Sequence, residues 1–263
     1  MRLILFLALA ATVFRAAAPV DCLAQVFDDD YLTQDQMVVK GAIGLFSDRH
    51  FRGQNLYNGT SIQPRAEFGV GTGMGLLYVS GFAHFSGDNN TDGNVRKDFT
   101  EFDWEVGHRF IIEDIQLDLG HRWYTYNRTT PRLVDSEEIF LEITSAVIAH
   151  PHFSMGYDYD EHKGWYYEIG LEQPILIGAR NDRDAIIPWV TMGLSSDLDD
   201  GAHPIYDDNG IAFMDVGLRA ELELIENLNV EPEMHYSSEV DDATTSDFVF
   251  GINLTGSLGE TRN

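Results

Sequence analysis

Between Val38 and Leu258 apolar and polar residues alternate with a period of two about a dozen times, and many of the polar positions are charged. In Asp98–Phe110 one set reads Phe102, Trp104, Val106, His108 and Phe110, while the other includes Glu101, Asp103, Glu105 and Arg109. Successive side chains reach opposite faces with that period only in a β-strand. Each segment therefore has an apolar wall and a charged wall, and the fold must satisfy both.

Twelve such segments follow one another: Val38–Phe46, Ile62–Val70, Leu76–Phe85, Asp98–Phe110, Ile115–Tyr126, Glu138–Val147, Phe153–Asp160, Trp165–Glu172, Ile186–Ser195, Ala212–Leu224, Leu228–Tyr236 and Phe248–Leu258. The first, the third and Ile186–Ser195 have ambiguous faces. Long polar connections (47–60, 87–97, 127–136, 160–164, 196–210, 237–246) alternate with mostly tighter ones near 71–75, 111–114, 148–151, 178–184 and 225–227. An even strand number with long loops at one end and short turns at the other is the plan of an outer-membrane barrel. The expectation is an all-β fold, a single antiparallel up-and-down transmembrane β-barrel of about twelve strands.

The charged wall holds Glu67, Glu101, Asp103, Glu105, Asp118, Glu138, Glu142, Asp158, Glu168, Glu172, Asp215, Glu221, Glu223, Glu231 and Glu233, with Lys40, Arg65, Arg109, Arg122 and Arg219. Turning an Arg or Lys toward the lipid midplane costs roughly 2–4 kcal/mol, whereas a wet lumen accepts it at little cost. A secreted soluble β-barrel binding protein, the alternative, would reverse the two walls. With a carboxylate surplus inside, a membrane barrel should have a partly wet lumen that attracts cations. The competing reading is an ion-pair lattice that fills a narrow interior.

The first residues supply the address. Met1-Arg2 precedes the apolar run Leu3–Val13 and then small residues, the pattern of a signal peptide cleaved after Ala24. Residues 25–36 would be a periplasmic segment and 37–263 the barrel. Cleavage there removes Cys22, the single cysteine, so no disulfide is expected. Asp21 places a charge where small residues should precede a lipidated cysteine. After residue 24 no apolar run is long enough for a membrane helix. With 43 acidic and 17 basic residues and a net charge of −26, the chain lacks the basic clusters that nucleic acid requires.

Ser47-Asp48-Arg49-His50-Phe51-Arg52-Gly53-Gln54, directly after the first segment, resembles the SDYRFRG signature of the TorF-like porin family of Gram-negative bacteria. The matching positions are Ser47, Asp48, Phe51, Arg52 and Gly53. The resemblance implies a twelve-stranded outer-membrane barrel with a transport role and no catalytic residue. The last strand is followed by Gly259–Asn263 rather than ending on the Phe that assembly machinery often recognises.

The expected function is a porin-like channel for passive diffusion of small solutes, cation-preferring. Its pore-lining residues would be Arg65, Glu67, Glu101, Asp103, Glu105, Arg109, Asp118, Arg122, Glu138, Glu142, Glu168, Asp215, Arg219, Glu221, Glu231 and Glu233. Expected partners are outer-membrane lipid, lipopolysaccharide, the assembly machinery and small solutes; no cofactor is expected. Asp88, Asn90 and Asp92 match the first half of a calcium loop, but Phe99 stands where the bidentate Glu should be, so a solvated loop is the default. The acids at 197–200 and 207–208 read as solvated turns. His84-Phe85-Ser86 resembles the His-x-Ser element of outer-membrane phospholipases, which makes a lipid hydrolase the enzyme alternative. The facing stretch near Phe99–Thr100 offers no clean orienting Asn or Asp. His150 and His152 stand at the opposite end of a strand from His162, so no shared metal site is expected.

Overall fold

The computed structural model describes residues 36–87, 99–127, 134–177, 184–198, 205–242, 244 and 246–258. The strands are β1 (Met37–Phe51), β2 (Gln54–Gly71), β3 (Gly75–Ser86), β4 (Phe99–Ile112), β5 (Ile115–Tyr126), β6 (Ser136–Ser145) and β7 (His152–Asp158). They continue with β8 (Trp165–Glu172), β9 (Ile175–Leu176), β10 (Ala185–Ser196), β11 (Gly210–Ile225), β12 (Leu228–Glu239) and β13 (Asp247–Leu258). Neighbours pair antiparallel all the way round, and β1 closes the sheet on β13 from Val39↔Leu258 to Phe46↔Gly251. β8 and β9 both pair with β10, on either side of Gln173-Pro174. Proline has no amide to give to the ladder, so one stave is interrupted there. Thirteen strands thus build twelve staves, the expected number.

Closure removes every sheet edge and leaves the two walls of the alternation facing opposite worlds. Leu77, Val79, Phe102, Val106, Leu119, Ile139, Ile169, Leu218, Phe250, Ile252 and Leu254 are exposed on the outside, whereas Glu101, Asp103, Asp118, Glu138 and Asp158 are buried within. A soluble protein does not leave so much contiguous apolar surface bare. The arrangement is that of a bilayer-spanning barrel. Trp104 and Trp123 stack on the exterior with ring centroids 3.7 Å apart, and Tyr157 packs on Trp165 at 4.6 Å.

The ambiguous faces resolve through pairing. Ile43 and Leu45 of β1 point outward, and β3 sends Leu77 and Val79 out while Leu76 and Tyr78 are buried. In β10 Trp189 pairs with Gly217, packs over it, and lies 5.5 Å from His235 inside the barrel. The outer wall does carry an acid at its long-loop rim: Glu137, one residue ahead of the expected strand, accepts from the Tyr159 hydroxyl and lies 3.4 Å from His121.

The expected long loop 47–60 is the main correction. β1 continues to Phe51, β2 begins at Gln54, and the two pair across Phe51↔Gln54 with register shifts between Phe46 and Asp48 and between Arg49 and His50. Pairing of β1 with β13 stops at Phe46, and pairing of β2 with β3 starts at Ser61. Between these points the ribbon has no ladder pairing with β13 or β3 among the described residues. The calcium-loop residues Asp88, Asn90 and Asp92, the leader and nearly all of 25–36, Asp199-Asp200 and residues 259–263 lie outside the described residues.

Leu119 sits near the middle of β5 on the exposed apolar face. Leu119→Arg should lower unfolding stability in lipid vesicles by about 2–4 kcal/mol. Asn229→Lys, on the inner wall, should cost under about 1 kcal/mol by the same urea titration.

Candidate functional site: a hairpin folded into the lumen

The ribbon 47–60 turns into the barrel. Its tip, Arg52-Gly53, has φ of 51° and 75°, the pair of left-handed residues that a two-residue type I′ turn requires. Gly53 lies against Phe213 of β11, where a Cβ would come within 2.5 Å of the ring. The Arg52 guanidinium reaches Glu138 on β6 at 2.8 Å and stands over the Tyr166 ring of β8 at 4.1 Å. The tip therefore spans from its own staves to those on the other side.

Side chains along the ribbon fix it at each level. Arg49 grips Glu101 with two bonds of 2.9 Å, and Glu101 is fully shielded. Gln54 donates to the Ile205 carbonyl at 2.6 Å. The Tyr206 hydroxyl, on the same connection, donates to the Arg52 carbonyl at 3.0 Å. Burial pushes that phenol above its ordinary range, which keeps it a donor. Phe51 packs on Tyr124 at 5.6 Å, and Asn55 donates to Asp247 at 3.1 Å.

Below the tip the inner wall is a charge lattice. Arg122 contacts Glu105 at 2.7 Å, Glu138 at 3.0 Å and Glu142 at 3.1 Å. Arg109 holds Glu67 at 3.1 Å and Asp118 at 3.0 Å. Arg219 approaches Glu221 at 3.2 Å and Glu172 at 3.4 Å. A cavity of about 880 Å³ runs among these groups, bounded by Arg49, Phe51 and Tyr124 on the hairpin side and by Glu221, Asn229 and Thr255 elsewhere.

Of the residues expected to line the pore, Glu101, Asp103, Asp118 and Glu138 are buried, Arg65, Glu67, Asp103, Glu105, Arg109, Arg122, Glu142 and Glu221 border the largest described cavity, and Glu168, Glu231 and Glu233 border smaller ones. Of the fifteen acids counted from sequence, Glu67, Glu101, Glu105, Asp118, Glu138, Glu142, Glu172 and Glu221 pair with arginine. The lattice is denser than a surplus of ten free acids implied, because the hairpin brings in Arg49 and Arg52, which were read as loop residues. Asp158 accepts from Ser136 at 2.7 Å and from backbone amides of the 160–163 turn. Gly53 was the one hint of a tight turn in that octapeptide; the arginine before it, an unusual residue for positive φ, hid the hairpin.

The hydrolase geometry is not assembled. His84 is wholly buried on the inner wall, hydrogen-bonds Thr100 through Nδ1, and stacks on Tyr57 at 4.8 Å. No bond to Ser86 forms among the described residues. His152 lies 3.6 Å from Glu168, and His150 and His162 stand apart from it; no metal-ligand cluster occurs among the described residues.

Arg49→Met should destabilise the barrel by about 3–5 kcal/mol, since it strands the Glu101 carboxylate without its partner. The double variant Arg49→Met/Glu101→Leu should recover most of that loss, as read by a urea double-mutant cycle.

No family model and no curated protein matches the chain. Among solved structures it is similar to an outer-membrane channel from Pseudomonas putida F1, with 8% identity, a TM-score of 0.56, and coverage of 89% of this chain and 100% of that one. The porin KdgM also aligns, at 7% identity and a TM-score of 0.47 over 84% of this chain and 99% of its own. The first likeness shows the fold, an outer-membrane type of β-barrel.

Proposed function

We propose that this chain is an outer-membrane channel of a Gram-negative bacterium that admits small solutes by passive diffusion, with the inward hairpin as its constriction. The observation that carries the reading is the hairpin itself: a barrel whose only task was to sit in lipid could fill its interior with apolar side chains. Here an ion-paired ribbon narrows one end of a charged cavity of about 880 Å³. The fold likeness to the Pseudomonas putida channel and the resemblance of residues 47–54 to the TorF-like signature support the same reading. Its surroundings would be lipid and lipopolysaccharide, reached through the outer-membrane assembly machinery.

The cation preference rests on what the lattice leaves over. Asp103, Glu168, Asp215, Glu231 and Glu233 form no ion pair with Arg or Lys among the described residues, against Arg65 on the cationic side. A negative remainder in a narrow pore raises local cation concentration and repels anions. The hydrolase reading gains no support, because the His84 ring is committed to Thr100 and shielded by Tyr57.

In planar bilayers under a salt gradient the wild type should pass a small current with a cation-selective reversal potential. Replacing residues 48–58 by a two-residue turn should raise the conductance severalfold. An anion-selective trace overturns the preference, and silence from both proteins overturns the channel.

A further inference from the structure

A second cavity of about 240 Å³ lies between the hairpin and the β12–β13 wall, lined among others by Arg65, His50, Glu231, Glu233 and His235. That volume equals about eight water molecules, the size of a small organic solute. Arg65 is unlike the other described inner arginines. It is exposed to the lumen and forms no ion pair among the described residues, resting instead 5.1 Å from the Phe82 ring.

The pairing register shows why the recess is open. Arg65, Ala42, Thr255 and Asn229 form one row across β2, β1, β13 and β12, and Gln63, Gly44, Asn253 and Glu231 form the next. Three stave spacings, roughly 14 Å along the wall, separate the guanidinium's stave from that of the acids, with Ala42 and Gly44 between. Glu231 accepts from Thr255, and Glu233 is 3.5 Å from Asn253 and 3.7 Å from His235; neither meets an arginine within ion-pair distance. The His50 ring, with 8% of its side chain exposed, borders the recess without a hydrogen bond at either nitrogen.

We propose that this recess binds a small zwitterion of the α-amino acid class, with its carboxylate on Arg65 and its ammonium on Glu231 and Glu233. A lone anion there would face the two carboxylates, and a lone cation would face Arg65 and Arg49. A solute carrying both charges satisfies both sides at once, and His50 can supply a further hydrogen bond. The inference deepens the channel reading and rests on it only in requiring that water reach the recess.

Saturation-transfer NMR on the detergent-solubilised full-length barrel tests it with three probes: L-alanine, L-alaninamide (cation only) and propionate (anion only). Alanine should bind at least fivefold tighter than either analogue. Arg65→Gln and Glu233→Gln should each weaken alanine at least fivefold, while Arg65→Lys retains part of the affinity. Unchanged heat-modifiable gel mobility of each variant shows that the barrel still forms; if one fails to fold, the analogue comparison on the wild type decides. Equal binding of propionate or alaninamide, no binding of alanine, or full affinity in Arg65→Gln overturns the proposal. Sodium chloride current in bilayers reads the channel separately, so a conducting protein that ignores alanine sinks only the site.

Discussion

A carboxylate withdrawn from bulk water must find a cation or a set of donors, and the interior of this barrel is organised by that demand. Glu101 and Glu138 are almost completely shielded, and their partners come from a ribbon 47 to 60 rather than from the neighbouring stave alone. Such pairs add little net stability over apolar packing of the same volume, yet breaking one strands a charge. Their consequence is positional: the ribbon has one place where Arg49 and Arg52 both meet their acids, and that place is across the lumen.

The hairpin in turn decides how the remaining space is divided. It screens the large cavity from one end and leaves the smaller recess against β12 and β13. Arg122 ties adjacent staves together, Arg109 and Arg219 also reach across an intervening stave, and all three consume acids locally. Arg65 escapes this because its stave faces Ala42 and Phe82 where a carboxylate would be needed. Arg65 and the acids Glu231 and Glu233 therefore stay apart across a stretch of wall that carries Ala42 and Gly44.

Strand number, faces and the charged interior were legible in the sequence because period-two alternation reports directly on which side each residue occupies. Glu67, Arg109 and Asp118 could be assigned inward from parity alone. The hairpin was not legible, since a ribbon buried inside a charged lumen is itself polar on both faces and reads like a solvated loop. Ser47–Gln54 contains no apolar alternation; its partners Glu101, Glu138 and Phe213 are distant in sequence and are set by closure of the barrel. The break at Pro174 and the outward Glu137 escaped for a simpler reason: each lies just past the end of a periodic segment, where parity carries little information.

The octapeptide makes sense residue by residue once the ribbon is placed inside. Where β1 parts from β13, the Phe250 amide loses its ladder partner, and the Ser47 hydroxyl accepts from it at 3.1 Å. Asp48 accepts from the Gly59 amide at 3.1 Å across the bulge, holding the two arms together where the register shifts. Arg49 and Arg52 lie on the same ribbon three residues apart with Phe51 between them, whose ring both guanidinium groups approach, at 5.1 and 4.9 Å. Gly53 supplies the close approach to Phe213, and Gln54 ties the returning arm to the 205–206 connection. Charge, turn and anchor are thus compressed into one short segment because each must act within the few residues that leave the wall.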